Sequence, residues 1–415
     1  MMVGVLGGGQ LARMLALAGY PLGLRFRIYD TPPEAPAEHV AEYVQGDFDD
    51  WPRIRAFAEG LDLVTYEFEN VPVETVAALA DRLPVWPPAV ALATSQDRLP
   101  EKELFRRLGL PTPRYVAVDS RESLASAVEA IGTPAILKTR RLGYDGKGQF
   151  LLRTAGDVDA AWQALGGLPL ILEAFVPFDR ELSMIAVRTP DGVCAFYPLI
   201  ENHHRAGILR ESRAPAAAAS AGPPVTSAPP FGLPDRPATT PPEPTARAVA
   251  AAFGPTASPA APASGPSGGG ASSAALQAQA QDYARRVLEA LGYVGVLAIE
   301  FFQVSDELYA SEMAPRVHNS GHWTIEGATT SQFENHLRAI ANLPLGPTDA
   351  VGHSVMINLV GTLPDPRAIL AVPGAHLHLY GKQPRAGRKL GHVTAWAPDA
   401  ATAEQRAAAV RCLVP

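Results

Sequence analysis

Two glutamates, Glu300 and Glu312, have a spacing that could hold a metal ion. They lie at equal distances on either side of Asp306, in two strand-like segments, YVGVLAIEFFQV and ELYASEMAPRV, with SDE at the turn. In an antiparallel hairpin that turns at Asp306, the carboxylates face each other with Cβ atoms about 5 Å apart, and they repel unless a cation separates them or one keeps its proton. Such oxygen ligands suit Mg²⁺, which usually adds phosphate oxygens and water. The alternative is a register slipped by one residue, which leaves one glutamate in solvent.

A glycine-rich segment with several cations, LKTRRLGYDGKGQ, runs from Leu137 to Gln149. Lys138 ends an apolar strand, where its amine could reach a phosphate. Glycines permit positive φ and let backbone N–H groups approach an anion, so this loop could close over phosphates and exclude water. A mobile hairpin tip with solvated charges is the alternative. The glutamate pair elsewhere in the chain favours the phosphate site.

A second glycine run, GVLGGGQLARM, follows a short strand and precedes a helix. Backbone N–H groups at such a helix start can hold an anion. Counted from Gly7 and Gly9, the third position of the dinucleotide fingerprint is Ala12, which the fingerprint tolerates. The stretch alone is therefore compatible with NAD, but NAD explains neither the glutamate pair nor the other glycine loop.

Strands and helices must position these motifs, and the hydrophobic pattern predicts them. At the N-terminus, strands MVGVLG, RFRIYD and DLVTYEFENV alternate with helices QLARMLALAGYPLG and PVETVAALADRL. This order indicates a parallel sheet with a ligand at the strand ends. A helix is predicted from about Ser95 to Leu110, and further strands in AILKTRRLGYDGKGQFLLR, LILEAFVPFDRELSMIAVR and GVCAFYPLIENHH. Helices LQAQAQDYARRVLEALG and SQFENHLRAIANL flank the glutamate hairpin, and SVMINLVG and AHLHLYGK indicate a small, mostly β C-terminal domain.

Composition narrows the class of protein. A chain of 415 residues with 47% hydrophobic and 19% charged residues is long enough for two or three folded domains. Its net charge of -7 gives no general attraction to nucleic acid. The two cysteines, Cys194 and Cys412, cannot form a disulfide framework, and MMVGVLGGGQ is neither a signal peptide nor a membrane span. We expect a cytoplasmic protein without nucleic-acid or membrane partners.

Residues 214–275 differ from the rest of the chain. They are rich in proline and alanine, carry few charges, and show no sustained apolar periodicity. We predict a flexible insertion without chemistry, in which TARAVAAAF is the one helical pattern.

The motifs together resemble the N5-carboxyaminoimidazole ribonucleotide synthetases, which are ATP-grasp enzymes of purine biosynthesis. The resemblance covers nearly the whole chain outside residues 214–275 and is carried by GVLGGGQLARM, YEFENV, SQDRLPEKELFRRLGLPTP, ILKTRRLGYDGKGQ, YPLIENHHRAGILR, YVGVLAIEFF, EMAPRVHNSGHWTIEGATTSQFENHLRAI and GRKLGH. Among ATP-grasp enzymes, APRVHNSGHWT together with GYDGKGQ is specific for this family. It implies a mixed α/β and α+β architecture: a Rossmann-like pre-ATP-grasp domain over 1–94, an ATP-grasp domain over 95–345 with a lid over about 113–190, and a β-rich C-terminal domain over 346–415.

The resemblance also implies roles for single residues. ATP phosphates would be bound by Arg98, Lys138, Gly143, Tyr144, Asp145, Gly146, Lys147, Gly148 and Gln149; adenine by Glu173, Ala174, Phe175 and Val176; the ribose by Glu181; and another part of the nucleotide by His204. Glu300 and Glu312 would hold Mg²⁺, or Mn²⁺ in its place. Arg316, His318 and Asn319 would act with Lys138 where bicarbonate meets the amine. The ribose phosphate would be bound by Lys382, Arg388 and Lys389, with Gly9 and Gln10.

The implied reaction starts with attack of bicarbonate on the γ-phosphate of ATP, which gives carboxyphosphate. The carboxyl group then passes to the exocyclic amine of 5-aminoimidazole ribonucleotide, leaving N5-carboxyaminoimidazole ribonucleotide, ADP and phosphate. Positioning and electrostatics supply most of the catalysis in such transfers. The family also implies a homodimer.

Two alternatives remain at this point. The chain could be a related ATP-grasp ligase that uses formate or another acyl phosphate, or a nucleotide-binding module without turnover. Many ATP-grasp enzymes carry Asn two residues after the second metal glutamate, whereas this chain has Ala314, so the number of Mg²⁺ ions stays open. Glu67 and Glu69 share one strand face and read as a solvated edge.

Overall fold

The computed structural model describes residues 1–143, 146–217 and 273–414. Tyr144, Asp145 and the helical pattern TARAVAAAF therefore lie outside the described residues. The strands are β1 Met2–Leu6, β2 Arg25–Asp30, β3 Glu42–Gln45, β4 Leu63–Tyr66, β5 Tyr115–Val118, β6 Ala135–Thr139, β7 Gln149–Leu152, β8 Leu170–Ala174, β9 Arg180–Arg188, β10 Cys194–Phe196, β11 Ile200–Arg205, β12 Ile208–Ala214, β13 Gly295–Val304, β14 Glu307–Ala314, β15 His353–Val360, β16 Ala375–Leu379 and β17 Lys389–Ala397.

The α-helices complete the described elements, apart from four short 3₁₀ turns. They are α1 Gln10–Gly19, α2 Trp51–Ala58, α3 Val73–Ala80, α4 Ala89–Ser95, α5 Arg98–Arg107, α6 Arg121–Ile131, α7 Val158–Leu165, α8 Ser273–Ala290, α9 Thr324–Gly327, α10 Gln332–Ile340, α11 Pro366–Leu370 and α12 Ala400–Leu413. No helix in this part of the chain is long and apolar enough to cross a membrane.

The N-terminal sheet is parallel, as its alternating strands and helices predicted, with the order β3-β2-β1-β4. Val3, Val5 and Leu6 of β1 are fully buried, which is typical of a strand covered on both faces. Gly7 follows with a φ of 98°, a conformation that glycine adopts without strain. Its position turns the chain from β1 into α1 at the carboxyl edge of the sheet.

A separate antiparallel sheet, with the order β5-β8-β6-β7, lies within residues 113–190, the range predicted for the lid. One side of it is covered by α6 and α7, whose apolar residues pack in one cluster with those of β6 and β8. Gln149 at the start of β7 pairs with Lys138 near the end of β6, so the glycine-rich loop joins two neighbouring strands. This hairpin carries the loop toward the centre of the molecule.

The largest sheet has nine strands, with the order β14-β13-β9-β11-β12-β15-β17-β16 and with β10 beside β9. The C-terminal strands join it because β15 pairs antiparallel with β12. The predicted C-terminal β structure is therefore continuous with the central sheet, and α11 and α12 accompany it. The helix predicted from about Ser95 to Leu110 is α5, which begins at Arg98 because Asp97 caps it by accepting from the backbone N–H of Leu99.

One apolar core links the N-terminal sheet to the central sheet. Leu11 and Leu15 of α1 belong to the same buried cluster as Ile185 of β9 and Phe333 and Leu337 of α10. Close packing of this kind fixes the angle between the two sheets. Residues of both sheets line one cleft.

Candidate active site

The cleft has a volume of about 660 Å³ and lies between the N-terminal sheet, the central sheet and the C-terminal strands. Many of the predicted site residues line it: Gly9, Gln10, Arg98, Gly143, His204, Glu300, Glu312, Arg316, His318, Asn319, Lys382 and Lys389. Ala314 also lines it. The remaining described site residues lie outside this lining: Lys138, Gly146, Lys147, Gly148, Gln149, Glu173, Ala174, Phe175, Val176, Glu181 and Arg388.

Glu300 and Glu312 are paired across the hairpin, as predicted. Their equal spacing about Asp306 does not by itself produce this pairing. The turn consists of Ser305 and Asp306, so the ladder next to it pairs Phe301 with Ala310. Continued regularly, it would place Ser311 opposite Glu300. A bulge at this point shifts the register by one residue and brings Glu312 opposite Glu300.

Helix α5 holds the bulged segment by three contacts. Lys102 Nζ donates to the carbonyl oxygen of Ser311 at 2.6 Å, and the backbone N–H of Met313 donates to Glu101 Oε1 at 2.7 Å. Between them, Arg98 Nη1 donates to Glu312 Oε2 at 2.9 Å. Successive residues of β14 are thus bound by one face of the helix, which fixes the direction of the Glu312 carboxylate. Glu101 and Lys102 were not predicted as site residues.

The two carboxylates differ in charge. Desolvation raises the pKa of Glu312, but Arg98 outweighs it and holds that pKa at about 2, although 43% of the side chain remains accessible. Burial and the neighbouring Glu312 raise the pKa of Glu300 to about 7. The pair therefore avoids the full repulsion of two anions. Across the described residues, no group of three acidic, histidine or cysteine side chains could hold a metal ion.

The carboxylates of Glu300 and Glu312 match the protein ligands that Mg²⁺ usually takes. Glu300 and Glu312 are adjacent cross-strand residues that both line the cleft. Mg²⁺ commonly takes one or two protein carboxylates and completes its octahedron with substrate phosphates and water. Two carboxylates without a third protein ligand fit that pattern.

The predicted phosphate lysine is buried in an ion cluster. Lys138 Nζ donates to Glu173 Oε2 at 2.8 Å, and Lys102 Nζ lies 3.6 Å from the same oxygen. Burial opposes ionisation of Glu173, but the two lysines hold its pKa at about 2. The Glu173 side chain is thus directed inward, and only its backbone remains for an adenine. In the loop itself, Gly146 and Gly148 have φ values of 74° and 68°, the positive values that the glycine-rich sequence predicted.

His204 and Glu181 form a second charged pair on the same sheet. His204 Nδ1 lies 2.7 Å from Glu181 Oε2. Burial lowers the pKa of His204, but the bond to Glu181 and the nearby glutamate pair outweigh it and raise the pKa to about 9. The imidazolium therefore adds a positive charge beside Glu300 at neutral pH.

The two glutamates read from the sequence as a solvated edge are site residues instead. Glu69 Oε2 accepts from Arg316 Nε at 2.5 Å. Glu67, 7% exposed, accepts from the backbone N–H groups of Gly9 at 3.0 Å and Leu11 at 3.2 Å. A carboxylate thus occupies the start of α1, where a dinucleotide would place its pyrophosphate. This geometry excludes the NAD alternative. The sequence did contain a signal that Glu67 and Glu69 belong to the site, because the YEFEN run directly follows a buried parallel strand.

Two C-terminal lysines, Lys382 and Lys389, line the cleft, whereas Arg388 does not. Lys382 Nζ is hydrogen-bonded to Gln10 Oε1. Burial lowers the pKa of Lys382, and the adjacent Arg388 and Lys389 add to this against the opposing effect of Glu67. Arg388 itself donates to the carbonyl oxygen of Gln383 at 3.4 Å.

Asn319 has an unusual position beside His318. Both its Nδ2 and its Oδ1 are buried and have no hydrogen-bond partner among the described residues. Buried amides are nearly always bonded, so an unpaired one that lines a cleft indicates a group meant for a ligand. It offers a donor and an acceptor together.

The sheets, the lid hairpin and this cleft define an ATP-grasp enzyme, and the comparisons with known proteins agree. Residues 103–223 and 269–333 match the family model of the ATP-grasp domain, and residues 1–96 that of the ribonucleotide synthetase preATP-grasp domain. Residues 354–406 match the phosphoribosylaminoimidazole carboxylase C-terminal domain.

The similar proteins narrow the class further. An N5-carboxyaminoimidazole ribonucleotide synthase of Pseudomonas aeruginosa is 47% identical over 414 residues, covering 100% of this chain and 99% of that protein. The crystal structure of the Thermus thermophilus synthetase has a TM-score of 0.84 at 51% identity, over 100% of this chain and 98% of that one. The Aspergillus clavatus synthase in complex with ADP and 5-aminoimidazole ribonucleotide has a TM-score of 0.81 at 29% identity, over 100% and 98%.

The chain belongs to the N5-carboxyaminoimidazole ribonucleotide synthase family, and it is an ATP-dependent ligase. The predicted family, fold class and enzyme class are confirmed.

Proposed function

We propose that this chain carboxylates 5-aminoimidazole ribonucleotide on its exocyclic amine, with ATP and bicarbonate, through carboxyphosphate. The observation that carries this is the joint lining of one cleft by a carboxylate pair, Glu300 and Glu312, and by the anion-binding Arg316 and Lys382. Such a cleft can hold a nucleotide triphosphate at one end and a phosphorylated amine at the other. The related synthase with ADP and the ribonucleotide supports this arrangement.

In this proposal the acidic residues bind the metal ion, and the basic residues stabilise negative charge on the phosphoryl group. Glu300 and Glu312 would hold Mg²⁺, which supplies charge neutralisation on the transferred phosphoryl group. Arg316, fixed by Glu69, stabilises the negative charge that develops when a bicarbonate oxygen attacks the γ-phosphorus and ADP leaves. Lys138 completes the phosphate ligands from the lid side.

The second step joins the two substrates. The amine attacks the carbon of carboxyphosphate, a C–N bond forms, and phosphate leaves. Asn319 binds the carboxyl group or the amine through its unpaired amide. Lys382 and Lys389 bind the ribose phosphate, with Gln10 orienting Lys382. We further propose that the enzyme is a cytoplasmic homodimer.

The test measures phosphate release from MgATP and bicarbonate, with and without the ribonucleotide. We expect strong stimulation by the ribonucleotide, and a loss of roughly 10²- to 10³-fold in Glu312→Gln. Glu307→Gln, which alters an exposed glutamate of the same strand, is the matched control and should retain activity. Turnover with formate in place of bicarbonate, without stimulation by the ribonucleotide, would move the chain to another ATP-grasp ligase class.

A further inference from the structure

A row of polar side chains crosses the central sheet beneath the cleft. Ser212 of β12 lies opposite Asn202 of β11, and Ser183 of β9 lies opposite Glu300 of β13. Ser212 and Ser183 are completely buried and Asn202 is 3% exposed. Buried polar groups cost stability unless they are hydrogen-bonded, so a continuous polar row at the centre of a sheet needs an explanation.

The row forms one chain of hydrogen bonds that ends on an imidazole. Ser212 Oγ is 2.8 Å from Asn202 Oδ1, and Asn202 Nδ2 is 3.0 Å from Ser183 Oγ. Ser183 Oγ is 2.8 Å from Ser320 Oγ, which lies 2.9 Å from His318 Nδ1. Four short contacts thus connect β12 with the cleft residue His318.

The donor and acceptor of each bond can be assigned because the chain ends next to a backbone N–H, which can only donate. The backbone N–H of Ser320 points at His318 Nδ1, at 3.3 Å, so Nδ1 is an acceptor and carries no proton. The Ser320 hydroxyl must then donate to Nδ1 and accept from Ser183. Ser183 in turn accepts from the Asn202 amide, whose carbonyl oxygen accepts from Ser212. Every bond agrees with this single direction.

The consequence lies at the other ring nitrogen. A neutral imidazole with an unprotonated Nδ1 carries its proton on Nε2. His318 Nε2 lies 3.4 Å from Glu300 Oε1 and faces the cleft. Because Nδ1 accepts a backbone N–H, the ring is not the imidazolium, which would carry a proton on both nitrogens. The opposite tautomer would present a lone pair to the Glu300 carboxylate.

We propose that Ser183, Asn202 and Ser320 are positioning residues that fix His318 as the Nε2–H tautomer, so that His318 donates a hydrogen bond to an oxygen of the bicarbonate-derived group. The identity of that acceptor rests on the proposed function, whereas the tautomer rests on the hydrogen bonds alone. The residues act through His318 and need not touch a substrate.

The experiment combines a spectroscopic and a kinetic readout on the full chain. In protein with ¹⁵N-labelled histidine, long-range ¹H–¹⁵N correlation spectra distinguish the two tautomers, and loss of a signal in His318→Gln assigns the residue. We expect His318 to be Nε2–H in the wild type. In Ser320→Ala the hydroxyl at 2.9 Å is lost and the longer backbone N–H contact of 3.3 Å stays, so we expect a measurable Nδ1–H fraction beside Nε2–H. In steady-state phosphate release, Ser320→Ala should lower kcat about tenfold and leave the KM for ATP within about twofold.

Two further variants keep the proposal falsifiable. Ser183→Ala interrupts the chain on a different strand and should reproduce both effects if Ser320→Ala folds poorly. Ser354→Ala removes a buried serine hydroxyl without a hydrogen-bond partner in the described structure, and it should change neither readout.

The possible results separate this proposal from the proposed function. A wild-type His318 with its proton on Nδ1, or an unchanged tautomer and kcat in both serine variants, would overturn the positioning role. An Nε2–H tautomer in a protein that releases no phosphate with bicarbonate and the ribonucleotide would support the tautomer assignment and overturn the proposed function.

Discussion

Asn319 shows how a single residue can be placed for a ligand at the expense of stability. Neither atom of its buried amide has a partner, which costs about 1–3 kcal/mol for each unmade hydrogen bond. Replacing it by leucine, of similar size, removes that cost. We therefore expect Asn319→Leu to melt at or above the wild-type temperature while its kcat/KM falls at least about tenfold. Thermal unfolding and phosphate release measure the two effects.

Asn335 is the matched control for this prediction. It is also buried, but its Nδ2 donates to Tyr197 Oη at 2.9 Å and its Oδ1 accepts from the backbone N–H of Gly346 at 2.8 Å. Asn335→Leu should therefore destabilise the protein by about 2–4 kcal/mol. A clear fall in melting temperature for Asn319→Leu, like that of the control, would show that the amide is bonded in the free protein.

His204 makes the stability of the protein depend on pH. Its pKa rises from 6.5 to about 9 in the folded protein, so its pairing with Glu181 stabilises the fold fully below pH 6.5. This stabilisation, of roughly 1–3 kcal/mol, is lost as the pH rises through about 9. We expect His204→Gln to lower the melting temperature most at pH 6 and least at pH 9.5.

The control for the pH effect is a histidine outside the site. His376 is exposed, so His376→Gln should have no effect on the melting temperature at either pH. A destabilisation by His204→Gln that stays constant from pH 6 to pH 9.5 would contradict the proposed ion pair.

The sequence revealed the chemistry of single residues where they form motifs. Glu300 and Glu312 were predicted from their spacing about Asp306, and Asn319 from a motif shared with the family. Glu101 and Lys102 were not, because their contacts are with β14, about two hundred residues away, and their own helix gives no sign of it. Long-range polar contacts of this kind leave no local pattern.

At the scale of elements, the glutamate hairpin shows what spacing can and cannot predict. Equal spacing about Asp306 gave the correct partner for Glu300. A hairpin centred on Asp306 differs by one residue from the register next to the turn, and the bulge shifts the register by that one residue. At the bulge that supplies the offset, Lys102 and Glu101 bind the backbone on either side of Glu312. The sequence therefore predicted the pairing but not the bulge that produces it.

Lys102 provides a test of this clamp. Lys102→Met removes the donor to the Ser311 carbonyl and leaves Glu173 paired with Lys138. We expect amide hydrogen exchange in β14 to become faster, because its bulge is held less firmly. The KM for MgATP should rise about tenfold as Glu312 loses its fixed direction.

The same helix offers a control. Arg107 is exposed near the end of α5, so Arg107→Met removes a cation from the helix without touching the bulge. Exchange in β14 should then match the wild type. If Lys102→Met also leaves exchange and KM unchanged, the bulge is stable without the clamp.

Other elements were missed where their residues lack a strong pattern. The polar β3, EYVQ, and β12, ILRESRA, gain their strand character from pairing with neighbours. Helix α12 is largely alanine, and it packs on β15 and β17 through Ala403, Ala407 and Val410. Alternation and periodicity predict elements that bury large side chains better than elements defined by tertiary contact.

At the scale of the whole molecule, the site depends on parts far apart in the chain. The cleft takes Gln10 from the first helix, Glu312 from the hairpin and Lys382 from the loop between β16 and β17. These meet because β15 extends the central sheet at β12 and because α1 packs against α10 in one core. The sequence indicated the components, but their juxtaposition follows from pairings that no single segment specifies.

One stretch of the chain interrupts the match to the family model of the ATP-grasp domain. The family model of the ATP-grasp domain leaves residues 224–268 unmatched. The predicted insertion of 214–275 is too wide, since Ala214 ends β12, Arg180 donates to the Ala217 carbonyl, and α8 begins at Ser273. The segment that can be exchanged is therefore residues 218–272.

Replacing residues 218–272 by a Gly/Ser linker of about twelve residues, which can span roughly 40 Å, tests whether they take part in function. We expect kcat and the KM values for ATP and the ribonucleotide to stay within about twofold, because the family model of the ATP-grasp domain matches the chain on both sides of residues 224–268 without them. The melting temperature should also be unchanged, since Leu276 and the later apolar residues of α8 keep their places in the core. A large loss of turnover with the melting temperature retained would instead show that the segment contributes to the site.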